Sequence, residues 1–167
     1  MATVRDVVTS AHDVAAAVIE RCTHGVDALK LQKLMFLAAG EYLALTGETM
    51  FDERIEAWDY GPVVHTVYGT YKDTEGKSAI TSAAKGDSSR LNDVARGCVD
   101  SVVGRFGDIT GPGLIRITHQ MDPWVDAYKP GEYRTPIDNQ AMYDYFCKPP
   151  TTEQLAEAES AWQRSRC

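Results

Sequence analysis

Leu29-Lys30-Leu31-Gln32-Lys33-Leu34-Met35-Phe36, followed about twenty residues later by Glu56-Ala57-Trp58-Asp59-Tyr60-Gly61-Pro62-Val63-Val64, is the stretch whose reading decides the fold. Leu31, Leu34, Ala38, Tyr42 and Leu45 recur at helical spacing and form one apolar stripe. Asp27 supplies a side-chain oxygen for the free N–H groups of a first turn, and Gly47 supplies a left-handed terminator. The reading is a buried helix from Ala28 to Thr46. Lys30, Gln32 and Lys33 interrupt the stripe early, which a helix needing only a core face does not require. Beyond it, Glu56 to Trp58 suits a short strand or extended arm, and Gly61 permits a sharp turn. Pro62 suits a first helical position, where its missing N–H costs nothing. Val63, Val64, Val67, Tyr68 and Tyr71 then read as the apolar face of the next helix.

Working outward, Val4 to Val8 fits either a short strand or an early helical turn. Ser10 with Asp13 forms a capping pair for a helix carrying Ala11, Val14, Ala15, Val18 and Ile19, ending before Gly25. Residues 72–77 read as a turn, Ile80-Thr81 as a brief strand and residues 86–89 as a loop. Leu91, Val94, Ala95, Cys98, Val102 and Phe106 mark another helix, terminated at Gly107. Gly111-Pro112-Gly113 opens a short helix carrying Thr118 and His119. Asp122-Pro123-Trp124 reads as a helix start with Asp122 as cap, Tyr128 falling on the Trp124 face. Asp138 to Phe146 is a further helix burying Met142, Tyr145 and Phe146. After Pro149-Pro150, Thr151 and Gln154 match a capping box, and Leu155, Ala158 and Trp162 give a last helix a narrow stripe. The expected fold is mainly α: a single compact domain of six or seven helices with one or two short β segments. Residues 1–150 form its body, and 151–167 a C-terminal helix packed on it or frayed.

The chain has 167 residues, 44% hydrophobic and 25% charged, which suits one core of ordinary globular composition. Its net charge of −7 argues against general nucleic-acid binding, because phosphate affinity comes largely from Lys and Arg. Six acids against one base lie between Glu41 and Asp59, a solvated face or a surface for a basic partner. Cys22, Cys98, Cys147 and Cys167 are scattered, and Cys22 and Cys98 read as buried thiols. His12 with Asp13, His24 with Asp27, and His65 lack metal-ligand spacing, so neither a metal nor a cofactor is expected. No apolar run reaches membrane length, and the expected location is cytoplasmic.

Leu29 to Phe36, then Ala57 to Val64 with Tyr68, then Thr118-His119 and Pro123-Trp124, resemble the Panacea domain, a phage-associated, antitoxin-like family of toxin–antitoxin systems. The resemblance runs from about Asp13 to Phe146. It implies neutralisation of a cognate protein toxin by direct binding, or delivery of that toxin to a protease of the AAA+ class, and no catalysis. On that reading Leu31, Gln32, Leu34, Gly61, Pro62, Thr118, His119, Pro123 and Trp124 serve structure. Lys30, Lys33, Trp58, Asp59, Tyr60 and Val64 form the partner surface, with Lys33 exposed and a salt bridge from Lys30 or Lys33 to Asp59 or Asp52 as a competing role. Two other readings follow from the residues alone. One is a small hydrolase using His119 and Asp122; the other is an operon-regulating DNA-binding protein, disfavoured by charge.

Overall fold

The expected central helix forms as α2, Ala28–Thr46, and most of the other helices pack on it in the computed structural model. The structure describes residues 9–74, 80–132, 134–148 and 152–166. The expectations for residues 4–8, 75–77 and Thr151 lie outside these. Within them the order is α1 Ala11–Arg21, α2, β1 Glu56–Trp58, β2 Gly61–Val63, α3 His65–Tyr71, α4 Asp93–Phe106, α5 Gly111–Thr118, α6 Asp122–Ala127, β3 Thr135–Pro136, α7 Asn139–Cys147 and α8 Thr152–Arg166. The fold is mainly α, as expected, with one three-stranded antiparallel sheet ordered β2-β1-β3.

Local chemistry sets the helix ends. The Asp27 carboxylate accepts the Lys30 N–H at 2.8 Å, and Gly47 closes α2 at φ 73°. Ser10 and Asp13 exchange side-chain-to-backbone bonds at the start of α1 as a capping box. Asn92 caps α4, so Leu91 precedes the helix while still entering the core. In α6 the expected cap is corrected: Met121 is the capping residue, and Asp122 and Pro123 occupy the first turn. That turn welcomes both an acid, beside the helix dipole, and a proline, whose N–H is not needed.

Residues 31–40 of α2 are all buried, because α1, α3, α4, α5, α7 and β2 surround this half of the helix. The apolar stripe was therefore too narrow at this end and too long at the other, where Leu45 is 71% exposed. A side chain at Gly40 would overlap the Phe146 ring, so the glycine lets α7 approach closely. The Phe36 ring meets Phe146 edge-on at 5.7 Å.

The second correction concerns Gly61 to Val64. Pro62 does not begin a helix: Gly61–Val63 is strand β2, with Trp58 opposite Gly61, Ala57 opposite Pro62 and Glu56 opposite Val63. β2 is an edge strand, where a proline is tolerated. Val64 stays extended, its N–H held at 2.8 Å by the Gln32 side-chain oxygen, so α3 starts at His65 and Val63 and Val64 are not on its face.

Gly61 sits at φ 105°, and a Cβ there would lie 2.7 Å from Lys33 Cε and 2.9 Å from Thr118 Oγ1. Gly61→Ala is expected to cost about 2–3 kcal/mol, since strained φ and overpacking add. Gly97→Ala, in exposed open space on α4, should instead stabilise by ~0.5–1 kcal/mol. Urea unfolding of the two variants checks this, and equal effects would remove the close-packing account of Gly61.

Candidate protein-interaction site

The β1–β2 hairpin is held from two sides by the segments singled out in the sequence. From α2, Lys33 is fully buried and its Nζ donates to the Pro62 carbonyl at 3.2 Å. A buried ammonium requires such polar partners, because the desolvation cost of an uncompensated charge is several kcal/mol. The neighbouring Gln32, 1% exposed, holds Val64. Thr118, with no exposed surface, approaches Gly61 from α5 and donates its hydroxyl to the Leu114 and Ile115 carbonyls at 3.0 and 3.1 Å.

From the other side come three stacked rings. Trp124 lies between His119, at 4.1 Å centroid separation, and Tyr128, at 4.5 Å, each inclined by 15°. Each ring also grips the hairpin. Trp124 Nε1 donates to the Trp58 carbonyl at 2.9 Å, and the Tyr128 hydroxyl donates to the Asp59 carboxylate at 2.6 Å. The His119 imidazole is hydrogen-bonded to the Asp59 backbone. Burial pushes His119 below the usual histidine value; its bond to Asp59 opposes this, and the Lys33 ammonium adds to it. Burial thus favours the neutral form of the imidazole.

The strand itself adds a third support. Glu56, 2% exposed, accepts Trp58 Nε1 at 3.1 Å and Arg54 Nε at 2.9 Å. The Trp58 ring packs edge-on against Tyr68 at 5.0 Å and beside His65 at 5.9 Å. What faces outward is the two-residue tip: Asp59 is exposed, and Tyr60 is 60% exposed.

This geometry redistributes the expected partner surface. Lys33 and Val64 are buried, which corrects the expectation of an exposed Lys33, and Trp58 is half-buried. Lys30 is half-buried and donates to the Gly107 carbonyl beyond α4 rather than to a carboxylate. Asp59 and Tyr60 remain outside. Leu31, Leu34, Gly61, Pro123 and Trp124 are buried. Among the described residues no hydrogen bond or ion pair joins His119 to Asp122: His119 stacks on Trp124 beside Asp59, while Asp122 is exposed at the start of α6. Sequence reading missed Glu56 and Tyr128 as supports. Positions 56 and 58 share one face of a strand, and 124 and 128 share one face of a helix, which was the available signal.

Cys98 is buried and Cys22 half-buried, and burial raises the thiol pKa of both. Among the described residues no group of His, Cys, Asp or Glu is arranged to hold a metal ion, and no helix is long and apolar enough to cross a membrane.

The family model described as "Antitoxin SocA-like, Panacea domain" matches residues 31–125, more than half of the chain. That interval contains Leu31 to Phe36 of the α2 motif, the hairpin and all but Tyr128 of the ring stack. Antitoxin SocA of Caulobacter vibrioides (strain NA1000 / CB15N) is 30% identical over 118 residues, covering 64% of this chain and 62% of that protein. The alignment thus spans less than two thirds of the relative's length. No solved structure matches. The chain belongs to the SocA-like Panacea domain family.

Two predictions test the clamp. Trp124→Phe keeps a ring in the stack but removes the indole hydrogen bond to the Trp58 carbonyl, at an expected cost of about 0.5–1.5 kcal/mol in urea unfolding. The lowered His119 value also has a pH signature. The unfolded chain takes up this proton near the unperturbed value of roughly 6.5 and the folded chain only lower, so the stabilisation is complete above that range and is lost as pH falls through it. His12 shifts in the same direction, chiefly through burial and secondly through Lys85, and shares the effect. His119→Asn should flatten part of the stability–pH slope below 6.5; an unchanged slope would contradict the assignment.

Proposed function

We propose that this member of the Panacea family is an antitoxin that neutralises a cognate protein toxin by direct contact, without catalysis, through the tip of the β1–β2 hairpin. The observation that carries the reading is Tyr60, a large aromatic side chain exposed on a turn whose backbone is fixed by Trp124, Tyr128, His119 and Lys33. Tyrosine is enriched at the energetic centres of protein interfaces, and a rigid contact loses little entropy on binding. Asp59 supplies a polar neighbour at the rim, and Trp58 contributes its half-exposed edge. An interface of standard size, roughly 1,600 Å² in total, would extend well beyond the tip. Neutralisation then follows by covering the toxin's working surface. An enzymatic role finds less support, because the one histidine of interest is stacked and bonded within the clamp.

Co-expression with the protein encoded beside this chain's gene tests the reading. Rescue of growth together with a purified complex supports it, and absence of both refutes it. Within such a complex, Tyr60→Ala should weaken binding by more than ~2 kcal/mol while leaving the urea midpoint unchanged. Trp58→Ala should act differently, lowering folding stability by up to the ~3–5 kcal/mol seen for buried aromatic truncations. If Tyr60→Ala binds as tightly as the parent, the hairpin tip is not the interface.

A further inference from the structure

His119 occupies a position that couples its charge state to the shape of the hairpin. It caps the C-terminal end of α5, and its ring is bonded to the Asp59 backbone and stacked on Trp124 at 4.1 Å. Its Nε2 is buried with no hydrogen-bond partner among the described residues. A neutral imidazole tolerates this arrangement, donating with one nitrogen and leaving the other bare. A protonated one carries a second N–H that must find an acceptor, and among the described residues Nε2 has none.

The groups around it sharpen the conflict. From α2 comes the Lys33 ammonium, itself fully buried and held on the Pro62 carbonyl. From the hairpin comes Asp59, whose carboxylate already takes the Tyr128 hydroxyl. From α6 come the neutral rings of Trp124 and, beyond it, Tyr128; Asp122 is exposed at the start of that helix. On α5 itself Arg116 is exposed. Among these charges Lys33 is the one that acts on the imidazole, and it repels a second cation. The attraction of an imidazolium for the indole face acts the other way. It supplies no acceptor for the new N–H, however, and the opposite face of that indole is already occupied by Tyr128.

We propose that His119 is an acid-sensitive latch on the hairpin: its protonation beside buried Lys33 expels the ring from the Trp124 stack, breaks its bond to Asp59 and frees the Asp59–Tyr60 tip. The consequence for a partner rests on the function proposed above. A rigid tip binds at neutral pH, and a loosened tip must be reordered on binding and so binds more weakly.

The test has two arms. In the whole protein, NMR follows the His119 ring titration together with 15N relaxation of the Tyr60 and Gly61 amides from pH 7.5 to 5. The expected result is order parameters near about 0.85 at neutral pH, falling below about 0.6 with the same midpoint as the His119 ring. Tip amides that stay ordered through that midpoint overturn the proposal, whatever any variant does. His119→Asn, which keeps a donor for Asp59 but does not titrate, should hold the tip equally ordered at both pH values. Loosening with pH in that variant likewise overturns it. In the second arm, binding of the co-expressed neighbouring protein should weaken at least tenfold from pH 7.5 to 5.5 for the parent and stay flat for His119→Asn. Absence of binding at pH 7.5 would refute the proposed function while leaving the relaxation arm to decide the latch. Equal pH dependence in parent and variant would refute its coupling to the partner.

Discussion

A fully buried lysine ammonium has to be given oxygen partners, and in this chain that requirement ties together segments far apart in sequence. Lys33 reaches the Pro62 carbonyl across the face of α2, and its stem fills the space where a Gly61 side chain would otherwise stand. Thr118 closes the same space from α5. The glycine is therefore required twice, once by its positive φ and once by the close approach of two side chains. Gln32, one residue earlier, holds the Val64 N–H and so fixes where the strand ends and α3 begins. Together the two side chains take backbone groups along edge strand β2, which would otherwise be open to another chain. The lysine and glutamine that interrupt an apolar stripe are thus the hardware that docks a sheet onto a helix.

The ring stack answers this from the opposite side. Each of its three members makes a face contact and a hydrogen bond, so removal of any one loosens both the column and the hairpin. Residues of the same motif consequently divide by direction. Gly61, Pro62 and Val64 turn inward or lie along the sheet, Trp58 is half-buried, and Asp59 and Tyr60 are exposed. On the function proposed above, the clamped backbone would hold the exposed Tyr60 at a defined place on the surface.

How much of this was legible depended on whether the cause was local. The bounds of α2 could be read directly, because Asp27 and Gly47 act within one turn of their own positions. Pro62 was misread because its fixed φ suits a first helical turn and an edge strand alike, and only pairing with Ala57 decides between them. Lys33 was assigned to the surface by its charge, since no local pattern announces that a carbonyl from residue 62 will be waiting inside. Leu45 was assigned to the core by periodicity, although the helices that bury α2 stop short of its last turn. Thr118, His119 and Trp124 could be grouped with the hairpin only through resemblance to a family, because their contacts span about sixty residues of chain.

The acids between Glu41 and Asp59 show why charge density along a sequence is a poor guide to a binding field. Glu41 pairs with Arg105, and Glu53 accepts the Ala11 N–H at the start of α1 at 2.8 Å. Glu56 serves Arg54 and Trp58, and Asp59 serves Tyr128. Four of the six carboxylates are thus engaged within the molecule, leaving Glu48 and Asp52 exposed. The net attraction offered to a basic partner is accordingly smaller than the local count suggests, and at physiological salt it is screened over about 8 Å. For the partner contact proposed above, discrimination would then come from short-range fit at the hairpin tip. On that reading specificity would fall on Tyr60, exposed on a turn whose flanking residues the fold holds in place.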